Sequence, residues 1–97
     1  MIYRLAMTED AKEEIREAKR WYESKQDGLS KRFEEAMVRT IGRILERPRM
    51  YPVCDYDARQ AVVKDFPYVI LYRISGDEVW ILNVLHGRQQ RDPRWRS

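Results

Sequence analysis

One cysteine and one histidine occur in the whole 97-residue chain. Cys54 therefore has no partner for an internal disulfide, and a zinc site of four protein ligands could hardly be assembled around a single Cys and a single His. Long apolar runs are missing too. Nothing approaches the roughly 20 residues that span a bilayer, and the opening MIYRLAMTED lacks an apolar region of signal-peptide length. The expected location is a reducing cytoplasm. Glycine-rich phosphate loops, GxSxG elbows, HExxH helices and CxxC pairs are all lacking, so the enzyme classes built on them gain no support. No cofactor and no metal is called for. With His86 as the lone imidazole, acid–base chemistry has at most one such group to use.

What is present is the material of one folded domain, expected to span residues 1–97. Hydrophobic residues make up 43% and charged residues 36%, and three Trp, six Tyr and two Phe supply bulk for a core. The net charge of +3 is not spread evenly. Arg88, Arg91, Arg94 and Arg96, set against Asp92, account for the whole excess, so residues 86–97 form a basic end on an otherwise balanced chain. Such an end suits nucleic acid, an acidic protein surface or an acidic peptide, without choosing among them.

Periodicity gives the order of elements. Ile2 to Met7 alternates with a period of two and reads as a first strand. Thr8 offers an N-cap hydroxyl, with Glu9 and Asp10 in the first turn where the helix dipole favours negative charge. Ala11, Ile15, Ala18 and Tyr22 then form one buried stripe, with Trp21 beside them, and the pairs Glu13–Arg16 and Glu17–Arg20 decorate the exposed face. Asp27-Gly28 marks a turn. Ser30 is the expected cap of a second helix, whose apolar face is Phe33, Ala36, Met37, Thr40, Ile41, Ile44 and Leu45. Gly42 within it suggests close packing against a neighbour, and Pro48 ends it.

Arg49 to Asp57 reads as a loop lying across the domain. From Ala58 the period of two returns, with Arg59, Ala61 and Val63 on one face and Gln60, Val62 and Lys64 on the other. Asp65-Phe66-Pro67 is a turn, Tyr68 to Ile74 a strand, Ser75-Gly76-Asp77 a hairpin turn, and Val79 to Leu85 a last strand. In that strand Val79, Ile81 and Leu85 fall on one side and Trp80, Leu82 and Val84 on the other, so both faces want cover. The architecture expected is α+β in two layers, β-α-α-β-β-β, with a helical hairpin packed on a mainly antiparallel sheet. The first strand is free to join either edge.

The plain reading of His86 is a strand-end histidine packed against the sheet, and Trp21 and Trp80 read as core. Trp95 and Pro93 among the terminal arginines suit either docking back onto the domain or stacking on a partner. A metal-independent nuclease needs only a base, an acid and cations around the scissile phosphate, since RNA brings its own 2′-OH. Arg59, Lys64, Arg73, His86 and Arg88 are the residues available for that, although nothing in their spacing requires it.

Taken together, the AxxxIxxAxxWY of the first helix, the ILERPRMYP that ends the second, the hairpin RQAVVKDFPYVILYRI and the ending VWILNVLHGRQQRDPRW resemble the RelE/ParE superfamily of bacterial toxins from type II toxin–antitoxin systems. The likeness runs over almost the whole chain. It implies one of two functions. ParE-type toxins inhibit DNA gyrase and arrest growth, whereas RelE-type toxins are endoribonucleases that cut mRNA in the ribosome. VLHGR followed by RDP is similar to the ParE and plasmid-stabilisation branch, and the residues after Arg88 include neither Tyr nor Lys, which leaves the ribonuclease without an evident acid–base pair. The expectation is a non-catalytic gyrase inhibitor whose target contacts are His86, Arg88, Arg91, Arg94 and Trp95. The implied partner is a cognate antitoxin whose C-terminal segment folds on the toxin in a hetero-oligomer, covers the second face of Val79 to Leu85 and neutralises part of the basic surface.

Overall fold

Thr8 begins the first helix and also ties it to the sheet. In the computed structural model, which describes residues 2–54 and 57–87, its hydroxyl accepts the Ala11 amide at 3.1 Å and donates to the Leu82 carbonyl at 2.7 Å. The elements follow the expected order: β1 (Arg4–Met7), α1 (Glu9–Lys25), α2 (Leu29–Glu46), β2 (Arg59–Val62), β3 (Tyr68–Ser75) and β4 (Glu78–His86). The strands form a mixed sheet in the order β1-β4-β3-β2. β1 lies parallel to β4, while β4, β3 and β2 form an antiparallel meander. The helical hairpin packs on one face of this sheet, an α+β arrangement in two layers.

The core lies where the helix stripes meet that face. Phe33 and Ile44 from α2 and Ile70, Tyr72, Val79 and Ile81 from the sheet are fully buried, together with Ala11 from α1. Each large side chain so buried contributes about 1.5–3 kcal/mol before the entropy of ordering it is counted. A chain of ring contacts, Tyr22 to Phe33 at 5.3 Å and Phe33 to Tyr68 at 5.3 Å, joins both helices to the start of β3. At the other end, the buried Tyr72 hydroxyl donates to the Pro48 carbonyl at 2.6 Å and holds the loop after α2.

Several local expectations are corrected. Ser30 does not cap α2: Gly28 occupies the N-cap with φ +85° and no side-chain bond of its own. Instead the Glu23 carboxylate reaches from α1 and accepts the Gly28 and Ser30 amides at 3.1 and 3.2 Å. The turn is so short that the last turns of α1 lie against the start of α2, and one carboxylate serves two amides where a serine hydroxyl would serve one. Gly42 is not a close-packing position either, since a Cβ there would meet nothing within 4 Å. Trp21 is 55% exposed rather than core. It sits 100° around the helix from Tyr22, with its ring edge-on to Tyr22 at 5.0 Å and Lys25 above it at 5.1 Å. Trp80 is half-buried.

Arg20 does not pair with Glu17. It turns to Glu13 at 3.7 Å, which Arg16 also holds at 2.9 Å. In β4 the simple alternation fails at a bulge. Tyr72 stands opposite Ile81 but Leu71 stands opposite Asn83, so Leu82 is an extra residue and the side chains beyond it change face. Val84 consequently joins Ile81 and Val79 in the core, and Leu85 moves to the opposite face with Val69. On that opposite face Val69 and Leu71 are buried, whereas Val62 is 67% exposed.

Candidate functional site

β1 is short, and its register with β4 ends at Met7 opposite Ile81, while β4 runs on to His86. The first turns of α1 take over the edge that β1 leaves. The Thr8 amide donates to the Ile81 carbonyl at 3.0 Å, its hydroxyl reaches Leu82, and the Glu14 carboxylate accepts the Val84 amide at 2.8 Å. The Asn83 side-chain amide adds bonds of 3.3 and 3.4 Å to the same carboxylate. Burial pushes the Glu14 carboxyl above its ordinary value, against the two sets of amide donors, and the charges of Asp10 and Glu17 push it the same way.

Beyond the Glu14–Val84 bond, α1 and β4 flank a groove of about 640 Å³. Glu14, Glu17 and Trp21 form its helical wall, and Tyr68, Val84 and His86 form the sheet side. Its floor is aromatic. Tyr22 meets Phe66 edge-on at 5.1 Å and Tyr68 meets His86 at 5.3 Å. Burial raises both the Tyr22 and Tyr68 phenols above their ordinary value, so each stays protonated at neutral pH. His86 is thus a strand-end histidine packed against the sheet, at the mouth of this groove. Gly87 follows it with its amide donating to the Pro67 carbonyl at 2.7 Å.

The remaining predicted positions are not gathered here. Arg88, Arg91, Arg94 and Trp95 lie outside the described residues. Arg59 is occupied structurally: its guanidinium donates to the Arg49 and Tyr51 carbonyls at 3.0 and 2.6 Å and so pins the loop after α2. Its place opposite Tyr72 puts it on the helix-covered face. Arg73 lies opposite Trp80 on the other face, and a strand rise of about 3.3 Å per residue puts it roughly 16 Å along β3 from the Tyr68–His86 pair. Lys64 is exposed in the turn beyond Val63, whose amide donates to the Tyr68 carbonyl, so it shares an end of the sheet with His86. The described ribonuclease candidates therefore divide between two faces and two ends. Among the described residues, no group of three His, Cys, Asp or Glu is placed to hold a metal ion.

Sequence reasoning missed Glu14. The signal was there, because Glu14 falls between Ala11 and Ala18 at steps of three and four, within the very stripe that the helix buries. A carboxylate in an apolar stripe needs donors, and the open edge of β4 supplies them.

A family model for the ParE toxin of type II toxin–antitoxin systems, parDE, matches residues 5–91. The chain belongs to the ParE toxin family. Among solved structures, a chain of the chromosomal ParDE TA system from P. aeruginosa superposes with a TM-score of 0.78, covering 88% of this chain and 96% of that one. At 15% sequence identity this likeness speaks for the ParE fold alone. No curated protein sequence matches the chain. As a ParE-type toxin, the protein has the end of β4, at His86, beside the groove. No helix among the described residues is long and apolar enough to cross a membrane.

Proposed function

We propose that this toxin acts in the cytoplasm as a non-catalytic inhibitor of DNA gyrase, holding the enzyme in its cleaved-DNA state and arresting growth, and that a cognate antitoxin neutralises it by folding on its surface. The observation that carries this reading is the match of the ParE family model to residues 5–91. The dispersal of Arg59, Arg73 and His86 over two faces and two ends of the sheet supports it, because a metal-free ribonuclease needs its base, acid and cations around one phosphate.

In this mechanism the chain performs no reaction. A bound inhibitor shifts an equilibrium only by its difference in affinity for the two states, so the toxin must hold gyrase more tightly with its DNA cut than resealed. His86 and the basic segment after it, with Arg88, Arg91, Arg94 and Trp95, are the proposed contacts. Arginines offer planar, bidentate recognition of carboxylate or phosphate, and a tryptophan among them adds a large amphipathic surface.

The test pairs purified toxin with gyrase and relaxed plasmid, and in parallel with translating ribosomes. Loss of supercoiling with accumulation of cleaved DNA is the expected result. Supercoiling left untouched, together with mRNA cut on ribosomes, would reverse the assignment in favour of a RelE-type activity. In cells, induction without the antitoxin gene should raise a DNA-damage response before any arrest of translation.

A further inference from the structure

Among the described residues, those that line the groove beside α1 carry a charge opposite to that of the chain as a whole. Arg16 and Arg20 are both drawn to Glu13, on the outer side of the helix. Glu17 is left at the groove wall with no ion pair among the described residues, one turn from Glu14. The described residues lining the groove thus include two carboxylates and one imidazole but no lysine or arginine, in a protein of net charge +3.

Shape adds to charge. β4 continues past the end of β1, so beyond Ile81 its outer side faces α1 and the groove rather than another strand of the described sheet. An extended chain laid along the groove would run beside a strand. Its side chains would cross aromatic surface, with the half-open ring of Trp21 at one end and Tyr68 with His86 at the other.

We infer that this groove seats an extended segment of the antitoxin through one lysine or arginine side chain, its cationic head between the Glu14 and Glu17 carboxylates and its stem along Trp21. This rests on the proposed reading that an antitoxin folds on the toxin, and it names the chemistry of one subsite. Long basic side chains suit the place because their methylene stems cover apolar surface while the head stays polar, and Lys25, 5.1 Å above the Trp21 ring, already uses that ring in this way. Glu14 is already engaged by the Val84 amide and by Asn83, so its position is fixed in advance. Glu17 is the free half of the clamp.

The consequence is an antitoxin segment of mixed sign. Acidic residues would meet the toxin's basic end, and a basic residue would enter the groove, so the order of charges along the segment sets its register and direction. A uniformly acidic tail would be repelled at the groove.

The test uses the full toxin and the antitoxin encoded beside it, with affinity measured by calorimetry and folding checked by circular dichroism. Glu17→Lys should weaken the complex roughly ten- to hundredfold and Glu17→Gln roughly three- to tenfold, with the loss shrinking as salt is raised. Exchanging one basic residue of the antitoxin segment for Glu should restore affinity to Glu17→Lys and to no other variant. An affinity for Glu17→Lys within about twofold of the parent overturns the inference, as does an antitoxin that fails to bind the parent toxin. Gyrase inhibition is read separately with free toxin. If gyrase is unaffected by the parent toxin while Glu17→Lys still loses the antitoxin, the gyrase assignment falls and the groove assignment stands.

Discussion

Removing the Glu14 carboxylate tests whether α1 holds the edge of β4. In Glu14→Ala the Val84 amide, on a residue only 2% exposed, loses its 2.8 Å acceptor. A buried donor left without a partner costs about 1–3 kcal/mol. For a domain of this size each kcal/mol lowers Tm by roughly 4–8 °C, so a central value of about 2 kcal/mol predicts a fall of roughly 8–16 °C. Glu14→Gln separates the hydrogen bond from the charge, because the amide oxygen still accepts from Val84.

The two variants should also differ in pH dependence. The folded protein holds the Glu14 proton more tightly than the unfolded chain, whose carboxyl titrates near 4.5. Glu14 therefore subtracts stability as pH rises from about 4.5 through its raised value. Glu14→Gln escapes that loss, so its Tm relative to the parent should climb as pH rises from about 4.5 and level off once the raised value is passed. Thermal denaturation followed by circular dichroism at several pH values reads both effects. A Glu14→Ala protein within about 0.5 kcal/mol of the parent at every pH would refute the reasoning.

Three further substitutions probe other parts of the fold. Phe33→Ala removes a ring that is 0% exposed, tilted against Tyr22 and edge-on to Phe66 and Tyr68; a loss of about 3–5 kcal/mol is expected in urea titration. Gly42→Ala, in open space on α2, should stabilise the protein by about 1 kcal/mol in the same assay, and no gain would mean that the site is tighter than its geometry shows. Tyr72→Phe should cost about 1 kcal/mol at pH 7 through the lost bond to Pro48. Because burial pushes the Tyr72 phenol up to about 12, the unfolded chain ionises first, and the parent loses stability as pH rises from about 10. Tyr72→Phe should lose less over that window, measured as Tm against pH.

The elements were readable in the sequence because their signals are local. The stripe from Ala11 to Tyr22, the broad face of α2 and the turns at Gly28 and Gly76 each lie within a window that one residue type or one period can mark. What escaped depends on contacts distant in sequence or on a change of phase. Glu23 displaces Ser30 as the cap of α2 only because two helices meet. The bulge at Leu82 exchanges the faces of Val84 and Leu85, and no residue type announces it. Trp21 lies next to the stripe in angle yet outside it in space. At the site, His86 was legible as a strand end and Arg59 as sharing a strand face with Ala61 and Val63. That Arg59 serves two loop carbonyls, and that Glu14 serves β4, required the fold.

The parallel pairing of β1 with β4 has a consequence for how the toxin comes into being. Arg4 stands opposite Glu78, so the first strand of the chain has no seat until the last one exists. Closing a loop of that length costs about 4 kcal/mol in its logarithmic term alone, and at about 5–20 residues per second the ribosome takes roughly 4–15 s to make the partner strand. Thr8 and Glu14 wait through the same interval, because their acceptor and donor also lie on β4. A chain released before β4 carries both helices and no finished edge. Synthesis thus yields a folded toxin only once β4 has been made, and termination before that leaves a product that can neither complete its sheet nor form the groove.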